Sequence, residues 1–140
     1  MIDRILIPTD GSEEAEAAID YGLKLASLTG AEVHALYVIE TRASYIITVD
    51  FAGEEMKEHE QWGDETVGDV VTRATALGLE ATGTVRKGKI AQEIVEYAQT
   101  NDIDQIVMGR RGQGAIGRYI GSTAEKVIHM AELPVTVVEA

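Results

Sequence analysis

The chain has 140 residues and a formal charge of −12, from 24 acidic and 12 basic residues, with 45% apolar residues. That is one domain, long enough to bury a core, and too acidic for general nucleic-acid binding, which needs a net basic face. Without cysteine it has neither disulfides nor thiolate metal sites, and with no apolar run of membrane-spanning length and no basic-then-apolar leader it is expected to be soluble and cytoplasmic.

Arg4 to Thr9 carries Ile5-Leu6-Ile7, a short continuous apolar run of the kind found in a parallel strand buried on both faces. Pro8 ends the run and Asp10-Gly11-Ser12 makes a turn. Ser12 is a good helix N-cap, and Glu13 and Glu14 complement the dipole of the helix it starts. Ala15, Ala18, Ile19, Gly22, Leu25 and Ala26 recur at helical spacing, and the small residues among them predict close packing on a sheet. Gly30 is the expected stop. Val33 to Ile39 is the second strand. Glu40 to Gly53 is ambiguous: Tyr45-Ile46-Ile47-Thr48-Val49 has strand propensity but equally suits an apolar connection over the sheet edge. Glu54 to Leu77 predicts a long polar helix with Met56, Trp62, Val67, Val70, Val71 and Ala74 on its apolar side, weakened by Gly63 and Gly68 and ended by Gly78. Leu79 to Arg86 is the third strand. Lys87-Gly88-Lys89 turns into a helix carrying Ile90, Ile94, Val95 and Ala98, and Ile103 to Met108 is the fourth strand. Ser122 to Ala131 is the last helix, and Pro134 precedes a final strand, Val135 to Val138.

Strict alternation of strands and helices implies a parallel sheet covered on both faces. The expected fold is α/β: residues 1–140 form a single doubly wound domain with five parallel strands in the order 3-2-1-4-5. Its switch point lies between the first and fourth strands, and ligands bind there, outside the carboxyl ends of the strands. That brings Asp10 across a crevice from the stretch Gly109 to Ser122.

This stretch reads Gly-Arg-Arg-Gly-Gln-Gly-Ala-Ile-Gly-Arg-Tyr-Ile-Gly-Ser, with five glycines and three arginines in fourteen residues. A glycine-rich loop between a strand and a helix lets backbone N–H groups approach a phosphate, and the helix start adds unpaired donors. At least one of Arg110, Arg111 and Arg118 is expected on phosphate. The two helix starts beside the crevice differ in charge. The first carries Glu13, Glu14 and Glu16; the last begins Gly121-Ser122-Thr123 and reaches its first acid at Glu125. A triphosphate therefore belongs against the last helix, leaving Asp10 for the base, the ribose or a metal. Pro8, Val38 and Met108, at strand ends, suit the flanks of an adenine ring, though core packing alone would also account for them.

Gly112-Gln-Gly114-Ala-Ile-Gly117 matches a dinucleotide fingerprint, with Glu139 near the ribose-binding acidic position, but the helix is predicted after the glycines and the motif follows the fourth strand, not the first. No glycine is followed by Lys-Ser or Lys-Thr, so there is no Walker loop. A phospho-receiver domain would need paired acids after the first strand, a phospho-accepting Asp after the third and a lysine after the fifth, whereas the first strand offers Asp10 alone and the third ends Val85-Arg86-Lys87. His34, His59 and His129 are scattered, and no catalytic constellation appears.

On Ile5-Leu6-Ile7-Pro8-Thr9-Asp10-Gly11-Ser12, the Gly109 loop and Leu133-Pro134-Val135-Thr136-Val137-Val138, the chain resembles the universal stress protein family along its whole length. The ATP-binding branch of that family has Gly, two residues, Gly, nine residues, Gly-Ser; Gly109, Gly112 and Gly121-Ser122 stand in those places, with eight residues in the second gap. The resemblance implies a Rossmann-like fold of the adenine nucleotide hydrolase type and binding of ATP, or of AMP or ADP, with magnesium reached by Asp10. It implies that Asp10 and Val38 contact the adenosine, that Gly109 and Gly112 approach the ribose and phosphates, and that Gly121, Ser122 and Thr123 hold the phosphates. Beside these, Pro8, Thr9 and Met108 at the strand ends and Arg111 in the loop complete the expected nucleotide-binding set. The resemblance further implies a nucleotide-dependent stress regulator with a protein partner, the other class of function on this fold being a slow ATPase or nucleotidyl enzyme. The uncharged, β-rich C-terminal strand lies at the sheet edge and predicts a homodimer, as does the resemblance.

Overall fold

The computed structural model describes residues 1–40, 49–110 and 121–139. Strands and helices alternate as β1 (Arg4–Pro8), α1 (Glu13–Thr29), β2 (Glu32–Glu40), α2 (Val49–Ala76), β3 (Ala81–Gly88), α3 (Ile90–Thr100), β4 (Gln105–Gly109), α4 (Ser122–Met130) and β5 (Val135–Val138). The strands form one parallel sheet in the order β3-β2-β1-β4-β5, as the alternation predicts.

β1 is the central strand, and Ile5, Leu6 and Ile7 are fully buried. Successive strand side chains face opposite sides, so this run is divided between two cores. Ile5 and Ile7 pack with Ala18, Leu23, Val67 and Val70 beneath α1 and α2. Leu6 packs with Leu36, Ile94, Ile106 and Val127 beneath α3 and α4. The small face of α1 does what its residues predict: a Cβ at Gly22 would stand 2.6 Å from Ile7 Cδ1, so glycine lets the helix lie close on β1.

α1 starts where Ser12 Oγ accepts a hydrogen bond from the Ala15 N–H at 3.3 Å, and it ends at Gly30, whose φ of +76° is left-handed. α2 begins earlier than Glu54. Val49, assigned above to a strand or a connection, is helical, while Tyr45–Thr48 lie outside the described residues. Valine's strand preference reflects fit to a pleated, half-buried surface rather than an intrinsic backbone rule. α2 is tied to α1 by Arg73, whose guanidinium reaches Glu16 at 3.0 Å, Asp20 at 2.5 Å and Asp69 at 3.6 Å. Partial burial alone would lower the Arg73 pKa; the hydrogen bond to Glu16 and the charges of Glu16, Asp20 and Asp69 outweigh it and raise it.

Candidate functional site

A cleft of about 570 Å³ opens where the strand order reverses, at the carboxyl ends of β1 and β4. That is the size of a small-molecule site. Its floor and apolar wall come from Pro8, Leu36, Val38 and Met108 together with Ile90 and Ile94 at the start of α3. Thr9 and Asp10 form one rim, and Gly109, Arg110 and Gly121 to Ala124 form the other.

The first rim is held by its own hydrogen bonds. The Thr9 N–H donates to the Leu36 carbonyl at 2.9 Å, extending the ladder between β1 and β2 past Pro8. Thr9 Oγ1 accepts from the Gly11 N–H at 3.1 Å, and Asp10 Oδ1 accepts from the Ser12 N–H at 2.9 Å. Asp10 thus closes a side-chain turn over Gly11, at φ +77°. Tyr37 also lines the cleft; burial first, and then the charge of Asp10, raises the pKa of its phenol.

The second rim is bracketed at both ends. The Arg110 N–H donates to the Val138 carbonyl at 2.9 Å, and the Arg110 carbonyl accepts from the Gly121 N–H at 2.6 Å. The chain therefore leaves and re-enters at one point. Arg111 and Gly112, with Gly114, Gly117 and Arg118, lie between these residues and outside the described ones. Arg110 Nη1 pairs with Glu139 at 3.0 Å, so the acid that mimics a ribose-binding group is engaged in an ion pair.

The two helix starts differ as their charges predict. α1 is capped by Ser12 and carries Glu13, Glu14 and Glu16 in its first turn. α4 has Gly121 as N-cap, no side-chain cap hydrogen bond, and Glu125 as the acid of its first turn. Unsatisfied N–H groups and partial positive charge collect at such an end. Because α4 begins at Ser122, after the glycine run, the arrangement is not that of the dinucleotide fingerprint, in which the glycines open the helix.

Of the residues singled out from sequence, Pro8, Thr9, Asp10, Val38, Met108, Gly109, Gly121, Ser122 and Thr123 all line this one cleft. Ala15, Leu36, Tyr37, Glu40, Ile90 and Ile94 line it too and were not singled out. Tyr37 and Glu40 sit at the same strand end as Val38, so the strand-end rule contained the signal for them. His34 is a core residue. It is buried, with Nδ1 2.7 Å from the Tyr97 hydroxyl and Nε2 2.9 Å from Glu32 Oε1. A carboxylate only accepts, so Nε2–H donates to Glu32, and in the neutral ring Nδ1 is then the acceptor of the Tyr97 O–H. Among the described residues no three His, Asp or Glu side chains converge as a metal site, and no helix is long and apolar enough to cross a membrane.

The chain matches the universal stress protein family over residues 1–139. It is 34% identical to universal stress protein MJ0531 of Methanocaldococcus jannaschii over 138 residues, covering 97% of this chain and 81% of the relative. The solved structure of hypothetical protein MJ0577 superposes with a TM-score of 0.89 at 29% identity, covering 100% of this chain and 97% of that one. Two more distant structures share the fold. One is a universal stress protein in complex with cAMP (TM-score 0.71, 21% identity, 99% and 97% covered). The other is the universal stress protein of Archaeoglobus fulgidus in complex with dAMP (0.69, 22%, 99% and 98% covered). The whole-length match, the strand order and the cleft at the switch point lead to one conclusion: this chain belongs to the universal stress protein family.

Proposed function

We propose that the chain binds ATP in this cleft and works in the cytoplasm as a nucleotide-dependent regulator of the stress response, its bound state selecting a protein partner. The adenine lies against Val38, Met108 and Pro8, the ribose beside Asp10 and Gly109, and the phosphates on Gly121, Ser122 and Thr123 with help from Arg111 and Gly112. The observation that carries this is the contrast between the two helix starts on one cleft: α1 capped and acidic, α4 without a side-chain cap. The apolar wall at the β2 end supplies the complementary half of a nucleotide site. Relatives of the same fold held cAMP and dAMP. Magnesium takes hard oxygen donors and is commonly held by phosphates and one or two carboxylates. Asp10 on the cleft rim fits that part, and magnesium would supply charge neutralisation of the triphosphate.

Calorimetry tests the proposal. ATP should bind the purified protein. Gly109→Val and Gly121→Val should each abolish binding by blocking the close approach of backbone to phosphate. Unchanged affinity in both variants would overturn the assignment of the phosphate cradle. AMP and ADP titrations set the preference among adenine nucleotides. ATP recovered intact after prolonged incubation supports a regulator; steady phosphate release would make the protein a slow ATPase.

A further inference from the structure

We infer that Trp62, which does not itself line the cleft, is a positioning residue for nucleotide binding: its indole, packed on Gly11 from behind, holds the Asp10 turn in its binding geometry and senses occupancy of the cleft. The inference rests on the nucleotide-binding proposal above.

Gly11 stands between Asp10 on the rim and Ser12, the cap of α1, in a left-handed conformation at φ +77°. A Cβ at Gly11 would meet Trp62 Cζ2 at 2.9 Å, Thr66 Oγ1 at 3.1 Å and Trp62 Nε1 at 3.2 Å. The turn is therefore backed by side chains of α2. The adjoining residue, Gly63, lets α2 reach a second part of the cleft wall, since a Cβ there would lie 2.7 Å from Tyr37 Cδ1. α2 thus touches, from outside, both the turn that carries Asp10 and the tyrosine that feels its charge.

This contact continues along one stripe of the helix. Trp62, Thr66, Asp69 and Arg73 recur at intervals of four, three and four, which is one face of a helix. At the far end of the stripe Arg73 holds Glu16 and Asp20 of α1. The C-terminal end of α2 is clamped to α1 by charge, and its middle rests on the turn through a flat ring. Trp62 remains 49% exposed, which sets it apart from the core residues Val67, Val70 and Ala74 of the same helix. The ring lies against a surface turn rather than inside either core. Its effect is to limit the freedom of a turn that the ligand would otherwise have to order on binding.

The protein has a single tryptophan, so indole emission excited beyond the tyrosine absorption band comes from Trp62 alone. Saturating ATP should change the emission of the wild-type protein. In calorimetry Trp62→Ala should weaken ATP binding by roughly 2- to 30-fold, the range of couplings carried by residues that do not touch the ligand. Trp62→Phe, which keeps a ring on Gly11, should restore most of the loss. Val70→Ala, in the core of the same helix, should lower the melting temperature and leave ATP affinity unchanged, which a merely structural role for Trp62 would not predict. Wild-type affinity in Trp62→Ala overturns the inference, as does an equal loss in Val70→Ala. If Trp62→Ala fails to fold, unchanged wild-type emission at saturating ATP overturns it alone. A wild-type protein that binds no adenine nucleotide takes down the cleft assignment, and this inference with it.

Discussion

Tyr37 and Asp10 share a wall of the cleft, and the ionisation of one is tied to the charge of the other. Burial, then Asp10, disfavours the phenolate and raises the Tyr37 pKa. A group whose folded-state pKa is raised gives stability that is fully present below its unfolded value, about 10 for tyrosine, and is lost as the pH climbs through the folded value. The melting temperature should therefore fall on the alkaline side, and Tyr37→Phe should flatten part of that fall. Melts followed from about pH 9 to pH 12 read this directly; the same alkaline slope in both proteins would remove Tyr37 as its source. The Asp10 side chain also accepts the Ser12 N–H, so the acid on the rim doubles as the brace of its own turn. Asp10→Asn keeps an acceptor for that bond while lifting the charge from Tyr37, and belongs in the same series.

The helices divide the work by what stands at their first turns. At α4, Gly121 adopts φ −61° and ψ 154°, an extended conformation open to any residue, so glycine there is not required by backbone strain. Gly121→Asp should consequently act in opposite directions on stability and binding. A carboxylate in place of glycine at the cap stabilises α4 by a few tenths of a kcal/mol, at most about 1 kcal/mol. The same carboxylate occupies the anion position and should remove ATP binding while sparing adenosine. Thermal melts and calorimetry on one preparation check both signs, and unchanged ATP affinity would place the phosphates elsewhere. Much of this was legible in the residues. Continuous apolar runs such as Ile5-Leu6-Ile7 mark strands covered on both faces, and their alternation with helices fixes where the switch point falls. Asp10 and Gly121 could then be paired across the crevice. The start of α2 at Val49 was not legible, because a β-branched residue beside a polar stretch satisfies either pattern. Nor were Ile90, Ile94 and Leu36, which line the cleft while also belonging to the core; how much of each reaches the cleft depends on how far the helices stand from the sheet. The Trp62 contact with Gly11 joins two distant segments, and no local pattern announces it.

Assembly follows from the sheet edge. Within the described chain β5 pairs with β4 alone, which leaves its outer edge as a template for another strand. The Pro134 carbonyl accepts from the Ile106 N–H and the Val138 carbonyl from the Arg110 N–H, so the even-numbered residues of β5 face β4. By the alternation of a parallel ladder, Val135 and Val137 turn their backbone groups outward. Residues 135–138 carry no charge, and the acid that follows, Glu139, is matched by Arg110. On a chain of net charge −12 this is a stretch where two copies can approach without adding like charges. We propose that two copies pair here, antiparallel about a two-fold axis, closing the edge that each leaves open. Val137→Pro removes an outward N–H while leaving the bonds to β4 in place, so it should yield a folded monomer. Light scattering should give twice the chain mass for the wild type at micromolar concentration and the single mass for the variant. Added salt should tighten the wild-type dimer, because it screens the repulsion between two acidic bodies and leaves backbone pairing untouched. A dimer indifferent to Val137→Pro would put the interface on another face, and a wild type that stays monomeric would leave the β5 edge unpartnered.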